Sequence, residues 1–120
     1  MAIALAEPES EPFLRKIAEG PVRRMSVGTW MELSVVLVRR HPGKAHVVED
    51  LLRSGGFVFE PVTVEQAIIG REAYRTYGHG STHRARLNFG DCFAYALSKT
   101  TGEPLLFKGD DFAATDVLRA

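Results

Sequence analysis

The chain has 120 residues, 45% of them hydrophobic and 25% charged, which describes one domain with enough mass to bury a core. Fifteen basic and fifteen acidic residues cancel, so global charge singles out neither a polyanionic nor a polycationic partner. A lone cysteine, Cys92, excludes an internal disulfide and fits a reducing cytosol; the opening MAIALA is too short and lacks the basic flank of a signal peptide, and no apolar run approaches the roughly 18 residues a membrane span needs.

Residues 1–6 form a short apolar stretch that reads as the end of a helix, broken by EPESEP at 7–12. Ser10 can cap a second helix from Glu11 to about Ala18, with Pro12 tolerated in its first turn, and Gly20-Pro21 ends it. Val22–Ser26 suits a short strand. Residues 28–40 form the next helix, stopped at His41-Pro42-Gly43; it is apolar almost all round, which predicts burial between layers. Lys44–Arg53 is a more ordinary amphipathic helix, ended by Gly55-Gly56. Phe57–Pro61 is a strand and Val64–Tyr77 a helix. A polar loop, GHGSTHRAR at 78–86, leads to the helix 88–100; Thr101-Gly102 turns into the strand 104–107, and Val117-Leu118 suits a last strand. Helices alternating with short apolar strands predict an α/β layer structure with a parallel sheet. Such folds normally open with a strand that becomes central, whereas this chain is expected to open in a helix. No repeat or low-complexity tract interrupts it.

Acids stand out against this frame. From Met25 to Val38 the only charge is Glu32, and from Leu87 to Ser98 the only charge is Asp91. A carboxylate kept from water costs several kcal/mol unless it is paired, protonated or bound to a metal. Asp110-Asp111 follow the strand 104–107, where a sheet edge would present them. Each acid also has a plain structural reading. Asn88 can cap the helix and Asp91, three residues on, can complete a capping box. Glu32 can pair with Arg39 or Arg40 on a solvated strip, although Leu33, Val35 and Val36 make such a strip hard to draw. G-D-D-F is ordinary turn chemistry. Taken jointly, three acids from separate elements suggest a site for a hard cation, for which carboxylate oxygens select Mg²⁺ or Mn²⁺. The histidines show no HExxH or comparable zinc spacing, and no G-x-S-x-G or phosphate-loop sequence is present. Cys92 beside Asp91 suits a small core residue better than a nucleophile. Arg71, Arg75, His79, His83, Arg84 and Arg86 gather against a single acid, Glu72; they form either a solvated helix end and loop or a phosphate-tracking rim.

Residues 74–116 resemble the C-terminal half of PIN-domain ribonuclease toxins of the VapBC type, in the run LNFGDCFAYALSK followed by EPLLFKGDDF and TD. Residues 25–40 resemble that family's second motif, with Glu32 inside a helix, and residues 3–13 resemble the stretch after its first strand, so the resemblance covers essentially the whole chain. It implies a three-layer α/β/α PIN-like domain over residues 1–120 with a short parallel sheet, Mg²⁺- or Mn²⁺-dependent endonucleolytic cleavage of RNA, a VapB-like antitoxin and a homodimer in the cytoplasm. Glu32 and Asp91 match the family's second and third acidic positions. Asp111 is the preferred match for the fourth, Asp110 could serve instead, and Asp116 with Thr115 would support the site. Arg75, His83, Arg84 and Arg86 would contact the substrate. The family's first strand ends in an Asp that supplies the first ligand, and Met1 falls just beyond that point. The resemblance therefore implies a domain truncated at its N-terminus, lacking the central first strand and first acid, with exposed sheet edges and weakened metal binding. Two readings stay open: an active toxin, or a catalytically impaired remnant that binds antitoxin or RNA. The antitoxin is expected to be small, encoded immediately upstream, and to bind through a short helix and an extended tail that brings an Arg or Lys to the acidic pocket.

Overall fold

The computed structural model describes residues 2–3, 22–78, 80, 81, 85–107 and 112–119. The helix expected at Glu11–Ala18 lies outside them. Four parallel strands form one sheet: β1 (Ala2–Ile3), β2 (Arg23–Ser26), β3 (Phe57–Glu60) and β4 (Leu105–Leu106), in the order β3-β2-β1-β4. Helices α1 (Val27–Arg40), α2 (Ala45–Ser54), α3 (Val64–Tyr77) and α4 (Phe89–Thr101) connect and flank them, with a 3₁₀ turn at Pro42–Lys44 between α1 and α2.

The central slot is filled, which corrects two expectations. Residues 2 and 3 are strand rather than helix, with Ala2 in register with Arg24 on one side and Leu105 on the other, and Ile3 with Leu106. A two-residue strand carries no periodicity, so its state is set by the hydrogen-bonding slots of its neighbours. The sheet is consequently not split into two new edges, as a missing first strand would require.

Local signals account for most boundaries. The Ser26 hydroxyl accepts the Gly28 amide at 3.1 Å to start α1, and Pro42 stops it, with Arg39 and Arg40 in its last turn where the helix dipole favours cations. Thr63 caps α3 by accepting the Gln66 amide at 3.1 Å. Gly102, at φ 71°, ends α4 in the left-handed conformation that glycine adopts at no steric cost. In place of the last strand expected at Val117-Leu118, a single parallel bridge joins Leu105 to Arg119, and the Leu105 amide donates to the Leu118 carbonyl at 2.7 Å.

The core is centred on α4. Cys92 and Ala94–Ser98 are all buried, and Ala94, Tyr95 and Leu97 join Ala73, Leu87, Leu105, Phe107 and Phe112 in one apolar cluster. Gly70 of α3 rests on Cys92, so the two helices approach closely through small residues. By contrast α1, expected to be buried between layers, buries only Thr29; Met31, Val35, Val36 and Val38 are exposed. Composition sets how apolar a helix is, but neighbours decide how much of it they cover. Here α1 meets α4 along a narrow line, at Gly28 against Phe93 and Glu32 against Gly90.

Arg24 of β2 joins three elements, its Nη1 donating to Glu60 of β3 at 2.6 Å and its Nε to Glu103 after α4 at 3.0 Å. Burial pushes the Glu103 carboxyl up, but hydrogen bonding led by Arg24 outweighs it and holds the group below its ordinary 4.5. A depressed carboxyl adds stability that is fully present above its unfolded value and lost as pH falls through its folded value. Acid melts of wild type should therefore lose stability progressively below about pH 4.5, and Glu103→Gln should flatten that limb. An unchanged limb in the variant would show that the contact contributes nothing.

Candidate active site at the first turn of α4

Two acids from separate elements come to the first turn of α4. Glu32 lies one turn into α1, and its carboxylate rests on Gly90 of α4: a Cβ built at 90 would overlap Oε2 and Cδ. Glu32 as a whole residue is exposed, yet desolvation of its carboxyl against α4 raises it above its ordinary value. A cation placed on it would reverse the shift. No ion pair joins Glu32 to Arg39 or Arg40 among the described residues, so the surface-pair reading fails.

Asp91 follows Gly90 directly. The capping box expected from its spacing is present, with the Asn88 amide donating to Asp91 Oδ2 and the Asp91 amide to Asn88 Oδ1, both at 2.9 Å. The bland reading and the functional one are compatible, since a capping carboxylate with one oxygen on a backbone amide is also held in a fixed orientation, one residue after the glycine that Glu32 touches. Three residues before Glu32 on the same face, the Thr29 hydroxyl is buried with no hydrogen-bond partner among the described residues. Carboxylate and hydroxyl oxygens form a donor set that fits a hard cation such as Mg²⁺ or Mn²⁺ and disfavours a soft one. Among the described residues no three His, Cys, Asp or Glu side chains converge; Asp110 and Asp111 lie outside them, as do His83 and Arg84.

Asp116 lies against a later stretch of α4, where Oδ1 accepts the Tyr95 hydroxyl at 2.6 Å and Oδ2 accepts Lys99 Nζ at 3.0 Å. Burial raises the Asp116 carboxyl, but these two donors outweigh it and leave it below its ordinary value. Burial and the Asp116 bond push the Tyr95 phenol well up, so it stays a neutral donor. Asp116 thus fastens the C-terminal segment to α4. The Thr115 hydroxyl donates to the Phe112 carbonyl at 2.7 Å, closing the turn before it.

Of the basic group, Arg71 and Arg75 both face Glu72, at 3.6 and 2.8 Å, while Arg86 is exposed. Arg86 has φ 77°, an uncommon conformation for a residue with a side chain. Its amide and that of Leu87 donate to the Tyr77 carbonyl at 3.1 and 2.8 Å, which ties the end of α3 to the start of α4. Cys92 is confirmed as a core residue: burial, with the Asp91 charge, pushes its thiol up to about 11, and Sγ donates to the Asn88 carbonyl at 3.5 Å. The residues missed by sequence reasoning are Thr29 and Gly90. A glycine at the second position of an otherwise well-capped helix was the available signal for Gly90.

A short parallel sheet carrying an acid-bearing helix that reaches the first turn of a buried second helix defines a PIN-like α/β domain. The PIN domain family model matches residues 1–118. Ribonuclease VapC42 of Mycobacterium tuberculosis is 42% identical over 118 residues, covering 98% of this chain and 90% of that protein. Ribonuclease VapC of Mycolicibacterium smegmatis is 44% identical over 120 residues, covering 98% and 91%. The crystal structure of M. tuberculosis VapC20, described as a Sarcin-Ricin loop cleaving toxin, matches with a TM-score of 0.69 at 21% identity over 89% of this chain and 81% of that one, a likeness of fold. The chain belongs to the PIN-domain family and, within it, to the VapC ribonucleases.

Proposed function

We propose that this protein is the toxin of a two-component toxin–antitoxin module in the cytoplasm and cleaves RNA phosphodiester bonds with Mg²⁺ or Mn²⁺ held by Glu32, Asp91 and Asp111, with Asp110 the neighbour that could serve in place of Asp111. The observation that carries this reading is the delivery of the Glu32 carboxylate onto α4 immediately beside Asp91. When bound, the cation supplies a lowered pKa for attacking water and charge stabilisation at the leaving oxygen. The chain's own residues would do the placing: α1 carries Glu32 to α4, the capping box orients Asp91, and exposed Arg86 would meet a phosphate. The ribonuclease names of relatives that match nearly the whole chain favour this over a binding-only remnant.

The partner reading rests on α1. Val27, Met31, Val35 and Val38 form one exposed stripe along it, and Leu51 of α2 is exposed nearby in sequence. A groove of about 170 Å³ between α1 and α2 is lined by Trp30, Leu33, Leu37, Val48 and Leu52. A VapB-like antitoxin helix could cover these apolar groups while its tail follows α1 toward Glu32; an apolar face of this kind also suits the homodimer that the family resemblance implies. The direct test of the activity is metal removal. Purified protein should cut RNA in Mg²⁺ or Mn²⁺, stop in EDTA and resume when either ion is restored. Cleavage that continues undiminished in EDTA would overturn the metal assignment, and absence of cleavage of any RNA under all ions would overturn the activity.

A further inference from the structure

We propose that Gly90 is a positioning residue for the acidic site: by carrying no side chain, it leaves the notch in the first turn of α4 where the Glu32 carboxylate rests beside Asp91. The inference rests on the metal-nuclease reading above. The three atoms nearest a Cβ built at 90 all belong to Glu32, namely both carboxylate oxygens and Cδ. Any larger residue would therefore meet the functional end of Glu32 before any other atom.

Nothing about the backbone demands glycine at this position. Gly90 is helical and buried and is not among the positive-φ glycines of the described residues, which are Gly56, Gly80 and Gly102. Glycine within a helix is less favourable than alanine, so helix stability alone would favour alanine at 90. Space is what glycine offers here.

The two glycine contacts between α1 and α4 differ in kind. At Gly28 an added Cβ would strike the Phe93 ring, which is itself packed edge-on against Phe89 at 5.1 Å. The atoms struck include Cγ at the root of the ring rather than a free chain end, so Gly28 limits how closely the helices approach. At Gly90 the obstacle is the free end of a flexible side chain, which can swing away without moving either helix. Substitution at 90 should then displace the carboxylate and leave the fold standing.

The test compares wild type, Glu32→Ala, Gly90→Ala, the Gly90→Ala/Glu32→Ala double variant and Gly90→Ala/Glu32→Asp, reading Mn²⁺ binding by titration calorimetry, thermal melting and RNA cleavage. Gly90→Ala should melt at or near the wild-type temperature and bind Mn²⁺ about 10-fold or more weakly, as loss of a group supporting a metal ligand does. Alanine at 90 should raise the melting temperature in the Glu32→Ala background, where no carboxylate obstructs it. Aspartate at 32, one methylene shorter, should recover part of the Mn²⁺ affinity in the Gly90→Ala background. Wild-type Mn²⁺ affinity in Gly90→Ala, with affinity lost in Glu32→Ala, would overturn the proposal and leave the metal reading intact. An equal fall in melting temperature from alanine at 90 in both backgrounds would overturn it by making Gly90 merely structural. Wild-type affinity in Glu32→Ala would overturn the metal reading, and the role of Gly90 with it.

Discussion

Glu32→Ala is expected to lower metal-dependent RNA cleavage by more than about 100-fold, the upper end of the cost of losing a group that merely supports a metal ligand, with little or no loss of stability. Glu32 makes no ion pair among the described residues, and its carboxyl is desolvated, so removing it relieves a penalty. Asp91 should behave differently because it has two roles. Asp91→Ala removes the acceptor for the Asn88 amide and should cost about 1 kcal/mol as well as the activity. Asp91→Asn keeps an oxygen for that amide while removing the charge, so it should lose activity with most of the stability retained. Cleavage assays and melts on the three variants separate the roles. Wild-type cleavage rates in both Glu32→Ala and Asp91→Asn would remove this site from consideration.

Leu97→Ala should have the largest effect on stability. Leu97 is 1% exposed and sits in the cluster with Leu87, Leu105 and Phe107. Truncating such a residue costs about 2–5 kcal/mol, a large part of the 5–15 kcal/mol typical of a domain. The melting temperature should fall by on the order of 10 °C. Val38→Ala on α1 removes apolar atoms too, but Val38 is 60% exposed, and the change should stay within about 0.5 kcal/mol. Similar losses at the two positions would mean that α1 is covered in the isolated protein.

That contrast marks where reading the chain alone succeeds and where it fails. Val64–Tyr77 was legible to the residue because Thr63 caps it and Gly78 follows it. The helix after Asn88 was legible because Asn and Asp stand three apart before an apolar run and Gly102 lies beyond it. The resemblance of 74–116 to the family was likewise present in the residues themselves. Caps, breakers and periodicity act over one or two turns, so the chain itself determines them. The same locality explains why Glu32 and Asp91 could be picked out singly as charges in apolar runs, without showing that Glu32 reaches the first turn of the helix that carries Asp91.

Tertiary structure decided the rest. Ala2–Ile3 became a strand because β2 and β4 offer paired backbone groups on both sides, a condition absent from the residues themselves. Two apolar helices of nearly equal length went to opposite fates. The small residues of α4 let α3 and the sheet close over it, while α1 touches α4 along a single line and leaves Met31 and Val38 in solvent. Asp116, grouped with the acids by sequence, bonds Tyr95 and Lys99, partners that no local spacing announces. The meeting of Glu32 with the first turn of α4 depends on Gly90, a residue whose contribution is the absence of atoms. An absent side chain leaves no pattern along the chain. Its effect exists only once a second helix, distant in sequence, is laid against it.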